Sequence, residues 1–101
     1  MTVSAKQADN KAVIVIDGNI DSAGGHELSV KLMDVMEWEN ITEAEFDMTT
    51  VNTVTSSAIG KLINFFKFME QKSGKMKITS ISDSLKRQFK EIHLDRIIPI
   101  A

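Results

Sequence analysis

Apolar positions along this chain fall into two periods, and the two periods take turns. Residues 2–6 alternate weakly between polar and apolar and suit an edge strand. Asp9-Asn10 reads as a tight hairpin turn. Residues 12–16, Ala-Val-Ile-Val-Ile, form an unbroken apolar run, the pattern of a strand buried on both faces. Asp17-Gly18-Asn19 stops it. The period then becomes helical: Leu28, Leu32, Val35 and Met36 share one face up to about Trp38, and Asp21 or Ser22 is placed to cap that helix. Residues 43–48 read as a short strand. A helix from Ser56 to about Lys72 follows, ended by Ser73-Gly74 with Gly74 expected at the left-handed position after the cap. Residues 76–80 make another strand. Ser82 or Asp83 caps a helix carrying Leu85, Phe89 and Ile92, and residues 97–100 form a last short strand or extended tail. The order β-β-α-β-α-β-α-β implies an α/β fold. Its sheet is mixed and mainly parallel, with four to five strands, an antiparallel edge strand and packed helices.

Composition narrows the classes of function. A chain of 101 residues fits one domain with one modest core, and residues 1–101 are read as a single domain. With 43% hydrophobic and 26% charged residues, disorder is not expected. A formal net charge of -2, with the basic residues scattered, gives no electrostatic case for nucleic acid or an anionic membrane as main partner. There is no cysteine, which removes disulfides, thiolate catalysis and thiolate metal sites. The N-terminal stretch has no apolar signal-peptide core, and no apolar run approaches the ~20 residues that span a bilayer. A cytoplasmic location without membrane insertion is the expectation.

Little in the chain offers catalysis. His26 and His93 lie far apart without ligand-spaced partners, so no metal site is expected; His26 reads as a surface residue of the first helical turn and His93 as closing a helix C-terminus. No phosphate-binding glycine loop, dinucleotide fingerprint or nucleophile elbow is present. Asp17-Gly-Asn-Ile-Asp21 resembles the start of a calcium loop but lacks its spacing and terminal Glu, and reads as a turn and a cap. Asp17, Asp21 and Asp47 read as solvated acids at strand ends. No catalytic residue and no cofactor is expected.

What remains is the passage from residue 46 to residue 62. It leaves a strand at Asp47, crosses small hydroxyl residues, and starts a helix at Ser56-Ser57. A serine there can serve as a helix cap. It can also accept a phosphoryl group, because the first turn of a helix offers free N–H donors and the positive end of the dipole.

The segment resembles the signature of the STAS family of bacterial anti-sigma factor antagonists, in which an Asp ends a strand and Asp-Ser-Ser-Gly-Leu-Gly opens a helix. Asp47 matches the strand Asp, and Thr55-Ser56-Ser57-Ala58-Ile59-Gly60 matches the hexapeptide. Residues 18–28 look like the family's second strand-to-helix loop, and residues 92–100, with Leu94-Asp95 and Ile98-Pro99-Ile100, look like its C-terminal end. Thr55 stands where the family usually has Asp, and Ala58 where it has Gly.

The resemblance implies a non-enzymatic partner-switching regulator. Its acceptor is Ser56, with Ser57 as the second candidate. Its partners are a serine kinase that is also the anti-sigma factor, of the histidine-kinase-like ATPase type, and a PP2C-type phosphatase. The alternative is a constitutive STAS subunit of a transporter or lipid-trafficking complex. At 100° per residue, Ile59, Leu62, Ile63, Phe66 and Met69 form the core face of the second helix, while Phe65, Phe68, Lys61 and Lys72 lie on one flank in line with Ser57. One reading tucks both phenylalanines under a neighbouring helix. The other makes them a partner-facing stripe, so that Asp21, Ser22, Thr55, Ser57, Lys61, Phe65 and Phe68 are the candidate partner contacts.

Overall fold

The computed structural model describes residues 1–101, except for the side chains of Ser22 and Ala23. Strands β1 (Thr2–Ala8) and β2 (Lys11–Asp17) form the antiparallel hairpin, turned at Asp9, whose φ is +55°. Helix α1 (Ser22–Met36), strand β3 (Glu43–Met48), helix α2 (Ser56–Gln71), strand β4 (Lys75–Ile81) and helix α3 (Asp83–Glu91) follow, then a single 3-10 turn, Leu94–Arg96. The sheet has four strands in the order β1-β2-β3-β4, antiparallel at the first pair and parallel at the other two. The expected fifth strand, residues 97–100, is reduced to one parallel bridge, Ile78 to Ile100, directly after the 3-10 turn.

The register puts the large apolar strand residues on one face, except Val13 and Val15 of β2. Ala5, Ile14, Phe46 and Ile78 form one row across the sheet, and Gln7, Ala12, Ala44 and Met76 another. Leu28, Leu32 and Val35 of α1, Leu62, Phe65 and Met69 of α2, and Leu85 and Phe89 of α3 join those rows in a single core cluster. The opposite face is open. Its middle row is Lys6, Val13, Glu45 and Lys77, with Lys11 Nζ 2.8 Å from Glu45 and Lys77 Nζ 3.9 Å from it. The hydrogen bond from Lys11 draws the Glu45 carboxyl below the ordinary carboxylate range, and Glu45 in turn holds Lys11 up.

This open face corrects the two-sided burial expected of residues 12–16. Ala12, Ile14 and Ile16 are buried, but Val13 is half-buried and Val15 is 38% exposed. An unbroken apolar run signals a strand, not the number of layers over it.

The caps follow the sequence closely. Asp21 Oδ1 accepts from the Gly24 amide at 2.8 Å, and Ser82 Oγ from the Leu85 amide at 3.1 Å. At the end of α2 the left-handed residue is Ser73, with φ +60°, and not Gly74. Ser73 N–H reaches the Glu70 carbonyl at 3.0 Å and Gly74 N–H the Met69 carbonyl at 2.7 Å, a complete Schellman pair. Gly74 is needed for space: a Cβ there would sit 2.9 Å from Met69 Cε and 3.0 Å from the Thr42 carbonyl oxygen.

Candidate functional site

The serine doublet sits where the sheet delivers it, beyond the C-terminal ends of the parallel strands β2 and β3. Asp47 turns the chain out of β3: its Oδ1 accepts from the Thr49 amide at 3.0 Å and the Thr49 hydroxyl at 2.6 Å. Val51 then dips fully into the core, and its carbonyl accepts from the Ser82 hydroxyl at 2.6 Å. Gln88 Nε2 donates to the Val54 carbonyl at 3.5 Å.

A second loop, between β2 and α1, lies against this one. The Thr50 hydroxyl donates to Asp17 Oδ1 at 2.6 Å and accepts from the Gly18 amide at 3.0 Å. Asn19 Oδ1 accepts from the Asn52 amide at 2.8 Å and the Thr53 amide at 3.2 Å. A parallel bridge joins Ile20 to Val54. The next residue on each strand of that bridge is a helix cap, Asp21 for α1 and Thr55 for α2, so the two helix N-termini emerge side by side.

Thr55, not Ser56, is the cap of α2. Its backbone is extended, with φ -79° and ψ 159°, and its Oγ1 accepts from the Ala58 amide at 3.2 Å. Ser56 is therefore the first helical residue, and its side chain is exposed. Among the described residues no hydrogen bond engages its hydroxyl. Ser57, also exposed, accepts from Lys61 Nζ at 2.8 Å. Lys61 also reaches toward α1: a Cβ built on Gly25 would lie 3.8 Å from its ammonium. Thr55→Ala is expected to cost about 1 kcal/mol, lowering the thermal midpoint by roughly 4–8 °C. Ser56→Ala should stay within about 0.5 kcal/mol of wild type. Thermal unfolding of the two variants side by side checks this assignment.

The aromatic flank is corrected by the structure. The buried row of α2 is Ala58, Leu62, Phe65 and Met69, while Ile59, Ile63 and Phe66 are only half-buried. The face toward the sheet is thus turned from the one that the apolar pattern outlines. Phe65 is fully buried and meets Phe46 edge-on, with ring centroids 5.6 Å apart. It therefore offers no surface to a partner. Phe68 is half-buried, and the Lys72 ammonium lies 5.4 Å from its ring centroid. Of the other candidates, Asp21, Thr55, Ser57 and Lys61 gather around the two helix N-termini, and the side chain of Ser22 lies outside the described residues. Asn19 and Thr50 were not singled out by the sequence. An Asn after a Gly in a loop signals a side chain that bonds backbone, but its partners stand more than thirty positions away.

Among the described residues no group of three or more His, Cys, Asp or Glu converges as metal ligands would. An apolar cleft lined by Phe66, Met76, Ile97 and Pro99 lies at the start of β4, away from the serines. The arrangement leaves an exposed hydroxyl, that of Ser56, at the first helical position of α2.

The STAS domain family model matches residues 2–101. The chain belongs to the STAS family. Its fold is shared by solved STAS structures at low identity. The anti-sigma factor antagonist SpoIIAA in its unphosphorylated form is 15% identical and superposes with a TM-score of 0.82 over 99% of this chain and 88% of that one. An anti-sigma factor antagonist from Mycobacterium paratuberculosis is 17% identical, with a TM-score of 0.84 over 98% of this chain and 83% of that one. A sulfate transporter family protein from Wolinella succinogenes is 15% identical, with a TM-score of 0.72 over 86% of this chain and 70% of that one. At these identities the likeness establishes the fold.

Within this STAS domain the two departures from the usual hexapeptide have structural accounts. Thr55 performs the capping for which Asp is equally suited. Ala58 is a fully buried helical residue whose methyl packs in the core, so the position makes no demand for a glycine.

Proposed function

We propose that this STAS domain works as a non-enzymatic partner switch of the anti-sigma factor antagonist type, set by reversible phosphorylation of Ser56. The supporting observation is the division of labour in Thr55-Ser56-Ser57. Thr55 is committed to the cap and Ser57 to Lys61, and Ser56 presents an exposed, unengaged hydroxyl at the first helical position. SpoIIAA from Bacillus, which shares the fold with a TM-score of 0.75, is known in a phosphorylated form. In this reading the unphosphorylated domain binds a cytoplasmic serine kinase that doubles as anti-sigma factor, of the histidine-kinase-like ATPase type. A PP2C-type phosphatase resets it. Asp21, Thr55, Ser57 and Lys61 border the contact, with Phe68 farther along the same flank.

A phosphoserine carries about -1.5 to -2 charges at neutral pH. At the first position of a helix that charge is favoured by the dipole and the free amides. Phosphorylation therefore acts on the interface by bulk, desolvation and repulsion, and leaves the domain folded.

Incubation with the candidate kinase and ATP, followed by intact mass and site mapping, tests the assignment. Phosphate is expected on Ser56, lost in Ser56→Ala and retained in Ser57→Ala. Full labelling of Ser56→Ala overturns it. The structural likeness to a sulfate transporter family protein keeps a second reading, a constitutive subunit in which Ser56 is never modified. A chain that binds its partner but takes up no phosphate favours that reading.

A further inference from the structure

The loop that delivers Ser56 is held from outside. Between β3 and α2 its own backbone supplies one bond, from the Val51 amide to the Met48 carbonyl at 3.1 Å. The stretch nearest the serine is held by the β2–α1 loop, with a longer bond from Gln88 of α3 to the Val54 carbonyl at 3.5 Å. Asn19 Oδ1 takes the amides of two consecutive residues, Asn52 at 2.8 Å and Thr53 at 3.2 Å. A carboxamide oxygen has two lone pairs, so one atom satisfies both donors. The Ile20 amide returns a bond to the Thr53 carbonyl at 3.2 Å. Only Val54 and Thr55 separate the clamped Thr53 from Ser56.

Asn19, Asn52 and Thr53 are all exposed. If the clamp opens, water can take both amides, so the fold loses little. What is lost is the restriction on the backbone that leads into α2. A small displacement of a reacting group can cost about a hundredfold in rate, whereas an exposed hydrogen bond contributes about 1 kcal/mol or less. The clamp therefore weighs more on how Ser56 is presented than on stability.

We propose that Asn19 is a positioning residue for Ser56: its side-chain oxygen, by holding the Asn52 and Thr53 amides, fixes the start of α2 and the direction in which the Ser56 hydroxyl is offered to a phosphoryl donor. The inference rests on Ser56 being the acceptor. Asn19 makes no contact with the reacting atoms; it acts through the loop.

Wild type, Asn19→Ala and Asn19→Asp decide it, because Asp keeps an acceptor oxygen where Ala has none. Two measurements are made on the full chain. The first is amide hydrogen exchange by NMR, without kinase. Asn19→Ala is expected to speed exchange at Asn52 and Thr53 by up to about fivefold, with the core amides of Phe46 and Leu62 unchanged and Asn19→Asp restoring protection. The second is the initial rate of Ser56 labelling with the kinase and ATP. It is expected to fall about ten- to a hundredfold in Asn19→Ala, to recover in Asn19→Asp, and to do so with the thermal midpoint lowered by only a few degrees. Unchanged protection and an unchanged labelling rate in Asn19→Ala overturn the proposal. So does a rate loss that Asn19→Asp fails to recover while its amides are protected. Should wild type itself take no phosphate on Ser56, the acceptor reading fails separately. The exchange data then decide the clamp alone: protection lost with Ala and regained with Asp upholds it, and unchanged protection overturns it.

Discussion

Phe65→Ala is expected to destabilise the domain by about 3–5 kcal/mol, lowering the thermal midpoint by roughly 12 °C or more. Phe65 is fully buried at the centre of α2 and meets Phe46, itself fully buried in the middle of the sheet. Truncation removes the edge-on ring contact and leaves a cavity between α2 and β3 that the rigid sheet closes only in part. The loss is a large share of the ~5–15 kcal/mol that holds a typical domain. Phe68 is the internal control. It is half-buried at the flank of the helix, so Phe68→Ala should cost only about 1 kcal/mol. Chemical denaturation of both variants separates them. Similar midpoints for the two would place Phe65 outside the core and return it to the surface flank.

Ser56→Asp is expected to weaken binding to the kinase partner about a hundredfold, equivalent to roughly 2.7 kcal/mol, while Ser56→Ala binds like the unphosphorylated domain. Asp adds an anion beside the contact surface, and like charges brought together at an interface cost several kcal/mol. Within the domain the same charge is harmless. It stands at the first position of α2, where the dipole favours it, and Thr55 keeps the cap. The thermal midpoint of Ser56→Asp should therefore match or slightly exceed that of wild type, which assigns any lost affinity to the interface. One carboxylate carries less charge than a phosphate and lacks its tetrahedral shape, so the true phosphoprotein should bind more weakly still. Calorimetric titration of the three forms makes the comparison. Equal affinities would remove the partner switch and leave the constitutive subunit.

Local patterning made much of this domain legible. The Asp9-Asn10 turn, the alternation of β-branched runs with helical spacing, and the caps, Asp21 and Ser82 out of two adjacent candidates each, are decided by side chains acting on neighbouring backbone. The hydroxyl-rich passage out of β3 into a helix was legible for the same reason, as was its match to the STAS signature. Position within that passage was less so. Threonine and serine both cap, and only the extended backbone at Thr55 with its bond to the Ala58 amide shows which one does, freeing Ser56.

Three features were decided by tertiary structure. The side of α2 that meets the sheet depends on how the helix is rolled over Phe46. An α2 apolar on most of its circumference, from Ile59 through Phe68, leaves that roll open, so Phe65 went inside where a flank position was expected. The number of layers depends on which side of the sheet the crossing helices occupy. Here α1, α2 and α3 all contribute to one core cluster, and Val13 and Val15 of an otherwise apolar run face outward. The clamp of Asn19 on Asn52 and Thr53 joins residues more than thirty positions apart through a parallel crossover. A lone Asn in a loop announces that it will bond to backbone. Which backbone it meets is settled only when the sheet register brings the ends of β2 and β3 together.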